Sequence, residues 1–221
     1  MIITEQESML LNREMITEAK NLIDDINDPK PLPPSLGYWY WKTILSHKDC
    51  QRLLNLSKDN WDEAATGTPE GKTFSNARKS NVVFVNDQWV YDLVWPLMET
   101  ANENAGWKYN IVAAEACQVT QYTKDGYYSW HTDSLGSHYD VNINPDNKLL
   151  FGNTRKLSMS IMLNDDYEGG NLQMCGNKEE NCLRGEGSII LFPSFNWHQV
   201  TPVTKGTRYS LVVWFVGPPF V

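Results

Sequence analysis

Two rhythms of hydrophobic positions divide the chain, and they meet near residue 110. Before that point apolar residues recur mostly every three or four positions, the period of a helix with one buried face. Residues 4–28 carry Met9, Leu10, Met15, Ile16, Ala19, Leu22, Ile23 and Ile26 in this pattern, predicting an amphipathic helix that ends before Pro29. The P-K-P-L-P-P-S run after it reads as a stiff, extended connector, because proline fixes φ and pushes its predecessor out of the helical region. Tyr38–Leu45 reads as a strand. Ser46 then caps a helix over about 47–60, with Leu53, Leu54 and Leu56 on its apolar side. The stretch from Gly67 to Arg78 reads as loop, followed by a strand over Arg78–Val85. Asp87 is placed to cap a longer helix reaching about Ala105, with Trp89, Val90, Leu93, Val94, Leu97 and Met98 as its buried stripe and Pro96 as a point where a kink is expected.

From Ile111 the texture changes to short apolar or alternating runs separated by Gly, Asn and Asp: 111–122, 127–133, 155–164, 170–175, 187–192, 198–203 and 207–216. Runs of this length and spacing predict an antiparallel sandwich or barrel. The expected organisation is an N-terminal helical arm and Pro-rich connector over 1–34, then a domain over 35–221 that is mainly β with flanking helices. Its core barrel falls at about 111–217.

Alternation also picks out chemistry. His131 and Asp133 close the stretch Y-T-K-D-G-Y-Y-S-W-H-T-D, and two residues apart on an extended segment they point to the same side. His198 opens a later run in F-N-W-H-Q-V, and Arg208 follows ten residues on in G-T-R-Y-S. Two histidines and one aspartate on neighbouring strands can occupy one face of an octahedron and leave three positions open, a set that suits a non-haem Fe(II) oxygenase. Ligand type alone leaves iron against manganese open. In the last run Arg208, Ser210, Val212 and Trp214 share one face, while Tyr209, Leu211, Val213 and Phe215 share the other. An arginine inside a barrel requires an anion, and the distal carboxylate of 2-oxoglutarate would serve, with the Ser210 hydroxyl as a further donor.

Composition narrows the classes. At 221 residues with 41% hydrophobic content the chain has material for a substantial core. A net charge of −8 and a sequence pI near 5.0 argue against nucleic acid as a partner. The start, M-I-I-T-E-Q-E-S, lacks the layout of a signal peptide, and no apolar run approaches a membrane span, so a soluble cytoplasmic protein is expected. Cys50, Cys117, Cys175 and Cys182 show no zinc spacing; Cys175 and Cys182 could meet across a hairpin, but free thiols are expected in a reducing compartment. The G-x-x-x-G-K-T from Gly67 is one residue short of a phosphate loop and follows no strand.

Over roughly 78–217 the chain resembles the Fe(II)/2-oxoglutarate-dependent dioxygenases, and within them the prolyl 4-hydroxylase group. The resemblance rests on an ordered set: Q-V-T-Q-Y, W-H-T-D, R-K-L-S-M-S-I-M-L-N, Y-E-G-G-N-L, G-S-I-I-L-F-P-S with H-Q-V-T-P-V, and G-T-R-Y-S-L-V-V-W. It implies a double-stranded β-helix (jelly-roll, cupin-like) core, with His131, Asp133 and His198 as iron ligands. Arg208, where collagen-type members carry lysine, becomes the 2-oxoglutarate anchor, and Tyr122 reaches the same carboxylate. Arg155 and Trp214 fall where peptide-hydroxylating members contact substrate. The implied reaction consumes 2-oxoglutarate and O2, releases succinate and CO2, admits ascorbate, and hydroxylates a proline-containing polypeptide. A hydroxylase of a free amino acid or other small molecule, or a non-catalytic jelly-roll metal-binding module, are the alternatives. His138 and Asp140 form a second H-x-D, in a loop over about 134–154 that is expected to cover the substrate cleft.

Overall fold

A computed structural model describes residues 37–57, 61–64, 66–68, 71–73, 76–134, 150–175 and 183–220, with only the backbone at 66–68 and 71–73, and these described residues form two helices and four antiparallel sheets, two large and two of only two strands. The N-terminal arm, the second H-x-D, Cys182 and most of the 134–154 loop lie outside the described residues.

In chain order come β1 (Trp39–Trp41), helix α1 (His47–Asn55), β2 (Asp62–Glu63), β3 (Thr66–Thr68), β4 (Gly71–Thr73), β5 (Arg78–Lys79) and β6 (Asn81–Val85). Helix α2 (Gln88–Asn104) follows, then β7 (Ala113–Ala114), β8 (Cys117–Tyr122), β9 (Tyr127–His131) and β10 (Thr154–Met162). The chain closes with β11 (Glu168–Gly169), β12 (Leu172–Met174), β13 (Ile189–Pro193), β14 (His198–Val200), β15 (Val203–Lys205) and β16 (Arg208–Gly217). The larger sheet runs β1-β13-β10-β16-β8-β6-β2, with β7 also on β16, and the smaller one β12-β14-β9-β5. Every pairing is antiparallel.

Period-two alternation divides the labour of the larger sheet. Its outer face, with Cys117, Val119, Leu157, Met159, Ile161, Ile189, Leu191, Leu211, Val213 and Phe215, packs on Leu53 of α1 and on Val90, Leu93, Val94, Leu97 and Met98 of α2. Each such side chain fully buried contributes about 1.5–3 kcal/mol. Its inner face meets the smaller sheet through Tyr122, Met162, Ile190 and Phe192 against Leu172, Met174 and Val200, with Val203 of β15 packed beside them. Two sheets closed face to face in this way form the expected jelly roll.

Ser46 caps α1 through a reciprocal pair: its side chain accepts from the Asp49 backbone N–H, and the Asp49 carboxylate accepts from that of Ser46. Helix α1 ends at Asn55 rather than near 60. Asp87 is the N-cap of α2 but makes no side-chain cap bond, and α2 runs from Gln88 to Asn104 with Pro96 inside it. The strand expected over Tyr38–Leu45 stops at Trp41, because Thr43 takes a φ of 53° and Ile44 and Leu45 instead both donate to the Gly187 carbonyl. The run 198–203 breaks into β14 and β15 around Pro202, which has no N–H to give a ladder. The stretch after Gly67 is not loop throughout: Thr66–Thr68 and Gly71–Thr73 pair as a hairpin, so the G-K-T sits on a strand. Among the described residues no helix is long and apolar enough to cross a membrane. Cys50 and Cys117 are free thiols pushed up to about 12, chiefly by burial; the Cys175–Cys182 pairing involves a residue outside the described set.

Candidate active site

Strands β9 and β14 are neighbours in the smaller sheet with His131 directly opposite His198, so their alternation aims both imidazoles between the sheets. Asp133 follows two residues after His131. His131 Nε2 lies 3.7 Å from Asp133 Oδ1 and His198 Nε2 lies 3.6 Å from Asp133 Oδ2. Donors that share one first-row ion at about 2.1 Å each sit roughly 3–3.5 Å apart, so these spacings are slightly wider and a small inward shift of the side chains closes them on a metal. The tautomers fit as well. Nδ1 of His131 donates to the Ser129 carbonyl at 2.7 Å and Nδ1 of His198 to the Asn196 carbonyl at 3.0 Å, which leaves each Nε2 lone pair facing Asp133. Tyr128 stacks on His131 with ring centres 3.5 Å apart, and Phe192 meets His198 edge-on at 4.7 Å.

Electrostatics put these groups in the forms a metal binds. Burial, then the neighbouring His198, pushes the His131 imidazole down to about 4, against the opposing pull of Asp133 and the Ser129 carbonyl. Burial works to raise the Asp133 carboxyl, but His198, Arg155, His131 and the Ser158 hydroxyl together hold it below the ordinary carboxylate range. At neutral pH the site offers a neutral imidazole and a carboxylate. The metal-free fold should be acid-sensitive in consequence. His131 takes a proton near 6.5 when unfolded but only near 4 when folded, so its contribution is full above about 6.5 and is lost as pH falls towards about 4. Thermal unfolding of the metal-free protein between pH 7 and pH 4 is expected to show a falling midpoint, with a shallower fall in His131→Asn.

Arg208 opens β16 opposite Tyr122 of β8 and is 2% exposed. Its Nη1 donates to Ser210 Oγ at 3.0 Å, its guanidinium carbon lies 5.3 Å from the Tyr122 ring centre, and its Nε has no partner. Among the described residues no carboxylate pairs with it. A buried, unneutralised guanidinium costs several kcal/mol, and a bidentate carboxylate is the group its planar fork matches. Arg208, Ser210, Tyr122 and the His131, Asp133 and His198 set all line one cavity, so the donor set and the anion site share a single space. Gly170 leaves room for the arginine: at φ +58° it has no Cβ, and one built there would lie 2.9 Å from Val203 Cγ2 and 3.1 Å from Arg208 Cδ. Gly170→Ala is expected to destabilise the fold by about 1–3 kcal/mol and to weaken binding of a dicarboxylate, measured by denaturant titration and calorimetry.

Trp214 also lines the cavity, and its buried indole N–H has no acceptor. Arg155 stacks over it at 4.0 Å, but the Arg155 fork is closed by Glu115, at 2.5 Å from Nε and 2.6 Å from Nη2. Its remaining nitrogen, Nη1, donates to the Asp133 carbonyl at 3.2 Å. Arg155 reaches this position through a register shift in β10 between Arg155 and Leu157. Plain alternation would put Arg155 on the outer face with Leu157, and the bulge turns it inward. Glu115 and Arg78, which lines the cavity and lies 4.7 Å over the Tyr128 ring, escaped the sequence reading. Both stand in short runs with no motif spacing to mark them.

A sequence model of the 2OG-Fe(II) oxygenase superfamily matches residues 117–216, the span that carries Tyr122, His131, Asp133, His198, Arg208 and Ser210 but not Arg78. A PKHD-type hydroxylase of Synechococcus sp. (strain JA-2-3B'a(2-13)) is 32% identical over 82 residues, which is 37% of this chain and 37% of the relative. One from Alteromonas mediterranea is 44% identical over 61 residues, 26% of this chain and 27% of that protein. The match thus spans between about a quarter and a little over a third of the length of these curated relatives. In fold the chain is similar to the viral collagen prolyl hydroxylase of Paramecium Bursaria Chlorella virus-1, with a TM-score of 0.59 at 16% identity over 82% of this chain and 96% of that one. It is similar also to a prolyl hydroxylase from Trichoplax adhaerens in complex with a hypoxia inducible factor peptide fragment, with a TM-score of 0.58 at 18% identity over 96% and 93% of the two chains. The matched segment, the jelly roll and the His-Asp-His donor set agree with one another, and residues 117–216 are similar to the 2OG-Fe(II) oxygenase superfamily.

Proposed function

We propose that this protein is an Fe(II)- and 2-oxoglutarate-dependent dioxygenase that hydroxylates a prolyl residue of a polypeptide, with 35–221 as its dioxygenase domain. The observation that carries the reading is the single cavity in which a metal-type donor set and a buried, unneutralised arginine stand together. In this reading His131, Asp133 and His198 hold the iron, while Arg208, Ser210 and Tyr122 take the distal carboxylate of 2-oxoglutarate. Bound together, iron and cosubstrate supply the oxidising chemistry: one atom of O2 enters succinate as CO2 leaves, and the other enters a substrate C–H bond as hydroxyl.

The chain's own contribution is placement and exclusion of water. Tyr128 stacked on His131 and Phe192 edge-on to His198 fix the planes of the two imidazoles. The unsatisfied Trp214 indole N–H offers a donor to a peptide carbonyl at the site's edge. A polypeptide substrate is further supported by the fold shared with peptide-binding and collagen prolyl hydroxylases. A cytoplasmic location accords with the free thiols Cys50 and Cys117, and ascorbate is included as an accessory reductant.

Incubation with Fe(II), 2-oxoglutarate and proline-rich peptides, with and without ascorbate, tests this directly. Succinate release coupled to a peptide mass gain of one oxygen atom is expected. Hydroxylation of free proline but no peptide would replace the substrate class, and no succinate under any condition would overturn the enzyme reading.

A further inference from the structure

We propose that Arg155, locked by Glu115 and Trp214, is a positioning residue that holds Asp133 in place for the metal. The proposal rests on the reading of His131, Asp133 and His198 as a metal site. Asp133 lies beyond the end of β9, so the sheet ladder that orients His131 does not reach it. Its backbone is held from two sides instead. Its N–H donates to the Ser194 carbonyl at 2.9 Å, and its own carbonyl accepts from Arg155 Nη1 at 3.2 Å.

Both holds come back to one strand. Ser194 N–H donates to the Lys156 carbonyl and Ser194 Oγ lies 2.9 Å from Ser158 Oγ, so Arg155, Lys156 and Ser158 of β10 all bear on the one ligand that the smaller sheet leaves unsupported.

Arg155 is itself fixed. The Nε and Nη2 edge that would grip a carboxylate on a substrate is already closed by Glu115, with both side chains about 15% exposed or less, and one face lies on Trp214. Glu115 is anchored in turn: its N–H donates to the Trp214 carbonyl at 2.9 Å, and its carbonyl accepts from the Tyr91 hydroxyl of α2 at 3.1 Å. A continuous line of bonds therefore runs from the helix layer through Glu115 and Arg155 to the backbone of Asp133. Partners behind a metal ligand typically set affinity by ten- to a hundredfold.

The test is a Co(II) titration of the metal-free protein, followed by visible absorption and calorimetry, for wild type, His131→Ala, Glu115→Gln and Arg155→Lys. Wild type is expected to bind one Co(II) and His131→Ala to lose it. Glu115→Gln and Arg155→Lys should bind about 10- to 100-fold more weakly with an altered Co(II) spectrum. Arg155→Lys retains the charge but cannot span Glu115 and Asp133 together. If one of the two variants does not fold, the other carries the result. Unchanged Co(II) affinity and spectrum in the folded variants would overturn the proposal. Failure of wild type to bind Co(II) would overturn the metal-site reading itself, and the positioning role with it.

Discussion

Replacing His131 by alanine is expected to reduce succinate release to background, while His138→Ala, which removes the histidine of the second H-x-D, should leave it near wild type. The asymmetry follows from geometry. His131 Nε2 stands 3.7 Å from Asp133 and its ring is 4.1 Å from that of His198, so its loss leaves two donors where three converge. A two-donor remnant holds a divalent ion weakly and no longer fixes which positions around it stay open. Metal content after dialysis and succinate assay should fall together. Full activity in His131→Ala, or loss in His138→Ala instead, would move the metal site elsewhere.

Arg208→Met should have effects of opposite sign on binding and stability. Losing a guanidinium that makes charge-assisted bonds worth about 1.5–3 kcal/mol each is expected to weaken 2-oxoglutarate by on the order of 10²-fold. The ligand-free fold should at the same time gain about 1–4 kcal/mol, since Arg208 is 2% exposed, leaves Nε unsatisfied and has no carboxylate partner among the described residues. Calorimetric titration and thermal unfolding of the same preparation measure both. A variant that binds as before would release Arg208 from the anchor role.

Much of this site is legible in one dimension because alternation is strict where both faces of a strand are used. The run from Arg208 to Phe215 sorts into inward and outward sets as its sequence reads, and His131 and Asp133 reach the same cavity. Arg155 shows where that logic stops. Its inward turn comes from a bulge, and a bulge is set by local backbone pairing that no residue pattern around Lys156 announces. Glu115 is harder still, since its meaning lies in a partner 40 residues away, met only once β7 and β10 have both docked on β16. Helix α2 is legible in place and length, from its Asp87 cap to Asn104, although that cap forms no side-chain bond, whereas α1 stops at Asn55 rather than near 60.

One strand, β16, carries Leu211, Val213 and Phe215 against the helices and Arg208, Ser210 and Trp214 in the cavity. Robustness and selectivity are therefore written on opposite sides of the same ten residues. Changes on the helix side can drift in volume without reaching the reacting groups, while changes on the cavity side alter recognition against a frame already fixed from behind. For anyone redirecting this cavity to a new ligand, the two sets of positions form separate libraries, and the first can be optimised before the second is opened.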